Sequence, residues 1–250
     1  MKKRSDIVIG MIASLRLTVI CLLLFFVLTI LGTIYQVHHG LFAAQQRFFD
    51  SWIFPVFRVV PFPGGQLVMT VLFVNLLFSL LFRLKLGWRY LGLALIHLGL
   101  LTLLVGGFVS HYFSQESLLT LGEGDSSSVA LTRTGEKVML PVTLRLLNFK
   151  KEFYPNSEIP KNFSSRIEVD LQGVPREVEI SMNRPFRYKG YAFYQESYID
   201  AASGREVSTL AVTKNYGRLI PYMATVVTSL GLIVHFLIGM LRRGQPTRDA

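Results

Sequence analysis

Two histidines lie inside apolar runs of the sequence, where an imidazole is an unusual side chain. His97 stands in the run Leu95–Leu100, and His235 lies in another apolar run near residue 230. An ionisable group in hydrocarbon is costly, so it marks a functional position unless a neighbouring helix hydrogen-bonds to it. A neutral imidazole is a common axial ligand of haem iron, and an apolar pocket suits a porphyrin. We take His97 and His235 as candidate cofactor-binding residues, and His97 as the candidate metal ligand, to haem iron.

Both histidines are predicted at a similar depth below the same membrane face. His97 is about seven residues, or ~10 Å, from the basic end of its apolar run, and His235 is about six residues, or ~9 Å, from the basic end of its own. The alternative for each is a structural histidine that is hydrogen-bonded to a neighbouring helix. His235 is the weaker candidate, because no sequence motif surrounds it.

A third histidine raises a competing interpretation. His111 follows His97 by fourteen positions, which on a helix puts it on roughly the same face and ~21 Å further along. Two such histidines on one helix are typical of a diheme cytochrome b, which also needs matching histidines on a second helix. His235 matches at the level of His97, but at the level of His111 only His38 and His39 could substitute. A diheme b-type electron-transfer anchor therefore stays an alternative.

Four apolar segments can position these histidines in a bilayer. The chain has 250 residues and is 51% hydrophobic, and an α-helix of about 20 apolar residues crosses a hydrocarbon core. The segments are Leu17–Tyr35, Gln66–Phe82, Tyr90–Ser110 and Leu219–Leu241. The predicted fold is a membrane α-helical protein with four transmembrane helices plus an extracytoplasmic, mostly β domain. The first apolar segment is longer than a signal-peptide core, so we expect it to be retained.

The distribution of charge predicts the partners and the orientation. The net charge is +10, yet residues 113–216 hold 13 basic and 13 acidic side chains, so the excess lies beside the apolar segments. That pattern excludes nucleic acid as a partner and favours a lipid bilayer. Ten Lys and Arg residues near the span ends fall on one side and three on the other. By the positive-inside rule, both termini are cytoplasmic and the protein lies in the inner (cytoplasmic) membrane.

The domain organisation follows from these spans. Residues 1–112 are predicted to form three transmembrane helices with an aromatic outer loop at about 36–65, which we expect to lie in the membrane interface. Residues 113–216 form an extracytoplasmic β-rich domain, and residues 217–250 form the fourth helix and a cytoplasmic tail. The only cysteine is Cys21, so no intrachain disulfide and no thiol pair for redox exchange is possible. The chain also lacks CxxCH, so it carries no covalent c-type haem of its own.

The β-rich domain is predicted to be a small sandwich or an open barrel. Partial alternation of apolar and polar residues indicates strands, with turns at Gln172-Gly173 and Ser203-Gly204. The predicted strands are Val138–Leu147, Ser165–Leu171, Arg176–Ser181, Tyr191–Tyr198 and Glu206–Thr213.

One long motif in this domain resembles a known family. Residues Asn183–Tyr198 read NRPFRYKGYAFYQESY, which is similar to the N-x-P-x-x-Y-x-G-Y-x-F-Y-Q-x-S-Y signature of the ResB (CcsB) family of System II cytochrome c biogenesis. Leu31–Gln36, Pro160–Ser165 and the His97 helix with Gly106-Gly107 extend the resemblance over nearly the whole chain. From the residues themselves we expect this motif to be a turn and a strand that pack a core, with Gly190 at a left-handed position.

The resemblance implies a function. ResB-like proteins act with a ResC (CcsA) type membrane partner that carries a tryptophan-rich haem-handling segment, which is absent here. The resemblance therefore implies a haem-handling subunit that helps to move haem b across the membrane and present it to CxxCH thiols of apocytochrome c. It also implies that the catalytic centre of the holocytochrome c synthase lies on the partner, that His97 is a haem ligand, and that the partner supplies the opposite ligand. A further alternative is a scaffold that holds the ResC-type partner and does not itself handle haem.

Overall fold

The computed structural model describes residues 2–56, 60–85, 87–157, 160–171, 173–200 and 206–243. The chain divides into two compact units. The helical unit comprises residues 1–108 and 219–250, and the β unit comprises residues 109–218.

Five α-helices account for most of the helical unit. They are α1 (Lys2–Ile12), α2 (Leu15–Ala44), α3 (Gly65–Phe78), α4 (Leu91–Phe113), which runs on into the β unit, and α5 (Ile220–Arg243). Single π-helical turns extend α2 over Gln45–Phe49 and α3 over Ser79–Arg83, and a 3-10 turn, Trp88–Tyr90, precedes α4. Between α2 and α3, strands β1 (Ile53–Val56) and β2 (Val60–Pro63) form an antiparallel hairpin.

The four long apolar helices of the predicted fold are confirmed. Within the described residues, four helical stretches are long and apolar enough to cross a membrane: Asp6–Phe49, Gly65–Arg83, Trp88–Phe113 and Ile220–Leu241. Each contains most or all of one predicted span. The chain is therefore a membrane protein.

The first span differs most from its prediction. Helix α2 continues to Ala44, nine residues past the expected end at Tyr35, and Gly40 interrupts it with φ +80°. The segment predicted as an outer loop from residue 36 is thus helical as far as Phe49. Two of its aromatic side chains, Phe48 and Phe54, are buried, with their rings edge to face at 4.9 Å. The prediction was wrong here because polar residues ended the apolar run, whereas a helix that leaves the hydrocarbon no longer needs apolar side chains.

Glycines let α4 and α5 approach closely. Gly92, Gly99 and Gly106 recur every seven residues along α4, and a Cβ atom on any of them would collide with His235, Thr228 or Ile220 of α5. Close approach of backbones through small residues is a common way for helices to associate in lipid. This packing fixes α5 against one face of α4.

The β unit is built on one eight-stranded antiparallel sheet. Its strands are β3 (Gln115–Gly122), β4 (Ser126–Leu131), β5 (Lys137–Phe153), β6 (Pro160–Leu171), β7 (Val174–Ser181), β8 (Phe186–Tyr188), β9 (Tyr191–Asp200) and β10 (Glu206–Lys214). They pair in the order β7-β6-β5-β4-β3-β10-β9-β8. All five predicted strands lie within this sheet. Three strands were not predicted: β3, β4 and β8. β4 begins with three serines and β8 has only three residues, so neither shows a clear alternation of apolar and polar residues.

The sheet curls into the open-barrel form of the prediction. β6 and β9 each lie next to an opposite edge of the sheet, yet Ser165 of β6 donates to Gln195 Oε1 of β9 at 2.6 Å. A tight turn with an isolated antiparallel bridge between Ser181 and Arg184 leads from β7 toward β8. The interior is apolar, with Phe193, Leu144, Leu146 and Ile167 fully buried.

The motif Asn183–Tyr198 forms a tight hairpin, as expected. Tyr188 of β8 pairs with Tyr191 of β9, and the two residues between them, Lys189 and Gly190, have φ of +45° and +84°. Two successive positive φ values are those of a type I′ turn, which suits the twist of a two-residue hairpin. The left-handed position predicted for Gly190 is confirmed. The predicted turn at Ser203-Gly204 lies outside the described residues, as does Gln172, while Gly173 has φ +86°.

Candidate functional site

His97 lies on α4 in the wall of a cavity within the helical unit. Its ring Nδ1 is 2.9 Å from the carbonyl oxygen of Leu93, one turn earlier on the same helix. A carbonyl oxygen only accepts, so this hydrogen bond places the imidazole proton on Nδ1 and leaves the lone pair on Nε2. No other described protein group is hydrogen-bonded to the ring. Nε2 is therefore the ring nitrogen of His97 that is available to a ligand.

The cavity has a volume of about 480 Å³, which falls within the range of about 300–1,000 Å³ typical of small-molecule sites. Residues of α2, α3 and α4 and of the segments that connect the helices line it: Ala13, Leu15, Thr18, Leu76, Ser79, Arg83, Leu84, Lys85, Tyr90, Leu93 and His97. Most of the wall is apolar, and its polar groups include an imidazole, a guanidinium and an ammonium group. No carboxylate is among the described lining residues. Such a donor set suits a flat apolar ligand that carries a metal and negative charge.

A buried asparagine organises one wall of this cavity. Asn75 on α3 is fully buried, and its Nδ2 donates to the carbonyl oxygens of Ile12 at 2.6 Å and Ser14 at 3.1 Å. Its Oδ1 accepts a hydrogen bond from Thr18 at 2.7 Å. These contacts join the backbone on both sides of the break between α1 and α2: the Ile12 carbonyl lies at the end of α1, and the Ser14 carbonyl also accepts a helical hydrogen bond from the Thr18 amide. Asn75 thus fixes the chain break that borders the cavity.

Two further side chains bind the same break. Ser79 Oγ donates to the carbonyl oxygen of Ala13 at 3.4 Å, and Arg83 Nη1 donates to the same oxygen at 2.8 Å. The sequence offered a signal for Asn75, since an amide in an apolar run is as anomalous as a histidine. Arg83 was predicted only as one of the ten basic residues that mark orientation, and no role was predicted for Asn75.

The second candidate histidine lies elsewhere on the helical unit. The backbone of His235 packs against Gly92 of α4, but its side chain is exposed and contacts the neighbouring Phe236 ring at 5.7 Å. His235 is not among the described residues that line the cavity of His97. The structure thus does not bring the two candidate ligands into one cavity.

The remaining histidines are exposed. His39 stacks on the Tyr35 ring at 3.9 Å, and its Nδ1 is 3.2 Å from the Tyr35 carbonyl oxygen. His38 precedes it on α2, and His111 lies near the end of α4 with its ring against Tyr112. Among the described residues, no group of three or more His, Cys, Asp or Glu side chains could hold a metal ion.

The motif residues of the β unit serve packing. Phe193 is fully buried, and Phe186, Tyr188 and Tyr191 pack against the same core. Gln195 is buried and bonded to Ser165 and Ser208.

A cation at the end of β10 also packs on this motif. Lys214 Nζ lies 5.1 Å from the centre of the Tyr191 ring and 5.3 Å from that of Tyr216. A hydrogen bond to Tyr216, with a contribution from the charge of Tyr191, raises the pKa of Lys214. Lys214 therefore stays a cation at physiological pH and can interact with both ring faces.

Comparison with known proteins identifies the family. The sequence profile of the ResB-like family matches residues 80–208, which are 129 of the 250 residues. The chain belongs to the ResB-like family. The match includes His97, the motif Asn183–Tyr198 and nearly all of the β unit. Membership of this family supports a role in cytochrome c biogenesis.

Two individual proteins are similar to this ResB-like chain. NrfI of Wolinella succinogenes is 30% identical over 115 residues, which cover 45% of this chain and 12% of NrfI. The solved structure of the cytochrome c haem lyase CcmF aligns with 86% of this chain and 34% of its own, at 14% identity and a TM-score of 0.36. The ResB-like chain thus spans about an eighth of the length of NrfI and a third of that of CcmF.

Proposed function

We propose that this ResB-like chain is the haem-handling subunit of a System II cytochrome c synthase, and that His97 ligates the haem iron. The observation that carries the proposal is the state of His97. It lines a cavity inside an apolar helical unit, with Nδ1 bonded to Leu93 and Nε2 without a described partner. An uncompensated imidazole nitrogen in hydrocarbon is costly, and iron coordination would satisfy it.

The cavity provides what a transient haem site requires. Its apolar wall can accept the macrocycle, and the hydrogen bond from Nδ1 to the Leu93 carbonyl orients the ring and makes Nε2 a better ligand. The cavity is also bordered by basic residues that, by the positive-inside rule, lie near the cytoplasm. Haem b would therefore enter from the cytoplasmic side as cargo.

Partners complete this function. One histidine leaves the opposite axial position of the iron open, and His235 lies outside the cavity. We propose that a ResC/CcsA-type membrane protein supplies the second ligand and the catalytic centre. Haem would then pass outward to the CxxCH thiols of an apocytochrome c, whose cysteines form the thioether bonds. In this arrangement the β unit is extracytoplasmic, both termini are cytoplasmic, and the complex lies in the inner membrane.

Haem content tests the proposal. We expect His97→Gly to remove most haem from the complex purified with its partner and to abolish cytochrome c maturation, since the iron loses its ligand. His235→Gly is the matched control, being the same change at a similar depth, and should have a smaller effect. The measurement is haem per complex by pyridine haemochrome, with the amount of complex determined separately by immunoblot.

Two results would count against this assignment. Full haem content and normal maturation in His97→Gly would make His97 structural. Loss of haem in His235→Gly alone would place the site on α5. The number of haems also addresses the diheme alternative, which requires two stable, redox-active b haems in the isolated chain.

A further inference from the structure

The side chain of Arg83 lines the cavity of His97, and a hydrogen bond to the Ala13 carbonyl oxygen positions its guanidinium. We propose that Arg83 binds a carboxylate of the ligand in this cavity. Resting on the proposed function, that carboxylate is a propionate of the haem whose iron His97 ligates. Arg83 would then determine which way the macrocycle lies, and so which edge of the haem is presented for transfer.

The hydrogen bonding of Arg83 supports this role. Its Nη1 donates to the carbonyl oxygen of Ala13 at 2.8 Å, which holds the guanidinium at the break between α1 and α2. A guanidinium has five N–H donors in a planar fork, so one such bond leaves donors for an anion. No ion pair joins Arg83 to a carboxylate of the described residues. A charge held beside a cavity without an acidic partner is suited to a ligand that brings its own negative charge.

The other lining residues match the rest of such a ligand. Leu76, Leu84 and Leu93 provide an apolar wall, and Lys85 contributes a second cation. Haem has three chemical parts: a metal, an apolar ring and two carboxylates on one edge. The cavity offers an imidazole, an apolar wall and two cations for them.

Anionic lipid is the competing explanation. Basic side chains at the ends of transmembrane helices commonly extend to lipid phosphates. The hydrogen bond to Ala13 argues against a free extension of Arg83 toward headgroups, since it holds the guanidinium of this exposed residue at the edge of the cavity. Carboxylate and phosphate share the same chemistry toward arginine, so the experiment has to separate them.

Three porphyrins can distinguish a contact between Arg83 and a carboxylate from a contact between His97 and the iron. The probes are haem b, its dimethyl ester, which lacks the charged carboxylates, and iron-free protoporphyrin IX, which lacks the metal. Binding is titrated by absorbance or fluorescence with the full chain and its partner in phosphatidylcholine nanodiscs. The variants are Arg83→Gln, the charge-conserving Arg83→Lys, and His97→Gly. Arg89→Gln is the matched control, because Arg89 is another exposed cation nearby in the chain and is not among the described residues that line the cavity.

We expect Arg83→Gln to weaken haem b and protoporphyrin IX about tenfold or more and to leave the dimethyl ester unchanged, since a hydrogen bond to a charged group is lost. Arg83→Lys and Arg89→Gln should bind all three probes close to wild type. His97→Gly should weaken haem b and its ester equally but leave protoporphyrin IX unaffected. This pattern would assign the carboxylate to Arg83 and the iron to His97.

The two proposals fail differently. If Arg83→Gln weakens all three porphyrins equally, or none, the carboxylate assignment is overturned, and the result for His97 stands by itself. If His97→Gly leaves the affinities for haem b and its ester unchanged, the proposed function fails, whatever Arg83 does. If Arg83→Gln has an effect only after phosphatidylglycerol is added, and an equal one on acid and ester, Arg83 serves a lipid and the inference is wrong.

Discussion

Asn75 in the helical unit and Gln195 in the β unit are both buried carboxamides, with 0% and 6% of their surfaces exposed. Gln195 connects β6, β9 and β10 through Ser165 and Ser208, inside a core of large apolar side chains. Asn75 instead bonds the ends of two helices at a break that borders a cavity. The same functional group thus joins strands inside the core of the β unit and holds a helix break beside a cavity in the helical unit.

This difference indicates how function is divided between the units. A fully bonded polar network inside an apolar core rigidifies a fold and leaves little for a ligand to bind. The cavity beside Asn75 retains an imidazole nitrogen and a guanidinium that can interact with a ligand. This contrast supports the proposal that haem binds in the helical unit, although the most recognisable sequence motif lies in the β unit.

In the proposed arrangement, the β unit and the basic ends of the helices face different sides of the membrane. Replacing Cys21 with Ser removes the only thiol of the chain, so single cysteines can then report topology. We expect a membrane-impermeant maleimide to label Thr134→Cys in spheroplasts and to label Arg89→Cys only after permeabilisation. Both positions are exposed in the structure. Labelling of Arg89→Cys in intact spheroplasts would overturn the proposed orientation.

Removing the amide from the β unit should cost stability. Gln195→Ala leaves the hydroxyls of Ser165 and Ser208 buried with fewer partners, and we expect a loss of roughly 1–3 kcal/mol. The readout is a shift in thermal unfolding together with lower accumulation, while haem bound per folded complex stays constant. A specific loss of haem with normal accumulation would give Gln195 a role beyond packing.

Removing the amide from the helical unit should act mainly on the cavity. Hydrogen bonds between transmembrane helices average about 0.6 kcal/mol each, so the three bonds of Asn75 contribute roughly 2 kcal/mol in total. We expect Asn75→Ala to unfold slightly earlier and to lose several-fold in haem affinity, since the break at Ala13 is no longer fixed. Haem titration and thermal unfolding of the same samples measure both effects. Unchanged haem affinity would separate Asn75 from the site.

The hairpin turn should give the smallest effect. Gly190 has φ +84°, and a β-branched residue there costs roughly 1–2 kcal/mol. We expect Gly190→Val to lower accumulation while activity per molecule is kept. Gly190→Asn is the matched control, because Asn tolerates a left-handed conformation. Normal accumulation of Gly190→Val with failed maturation would mean that the motif acts in function.

The sequence predicted the elements better than the site. Apolar length marked the four spans, and Gly190 marked a turn, because both signals are local. His97 was found because an imidazole is anomalous in an apolar run. The roles of Asn75 and Arg83 depend on a helix break some sixty to seventy residues earlier in the chain. Contacts of that range leave no periodic pattern in a single sequence.

Coordination of the iron by His97 would set the reduction potential of the bound haem. His97→Met would exchange an imidazole for a thioether, and a Met axial ligand raises the potential of a haem. We predict that the complex carrying His97→Met has an altered absorption spectrum and a more positive haem potential, whereas His235→Met resembles wild type. A wild-type spectrum and potential at full haem occupancy in His97→Met would contradict the assignment.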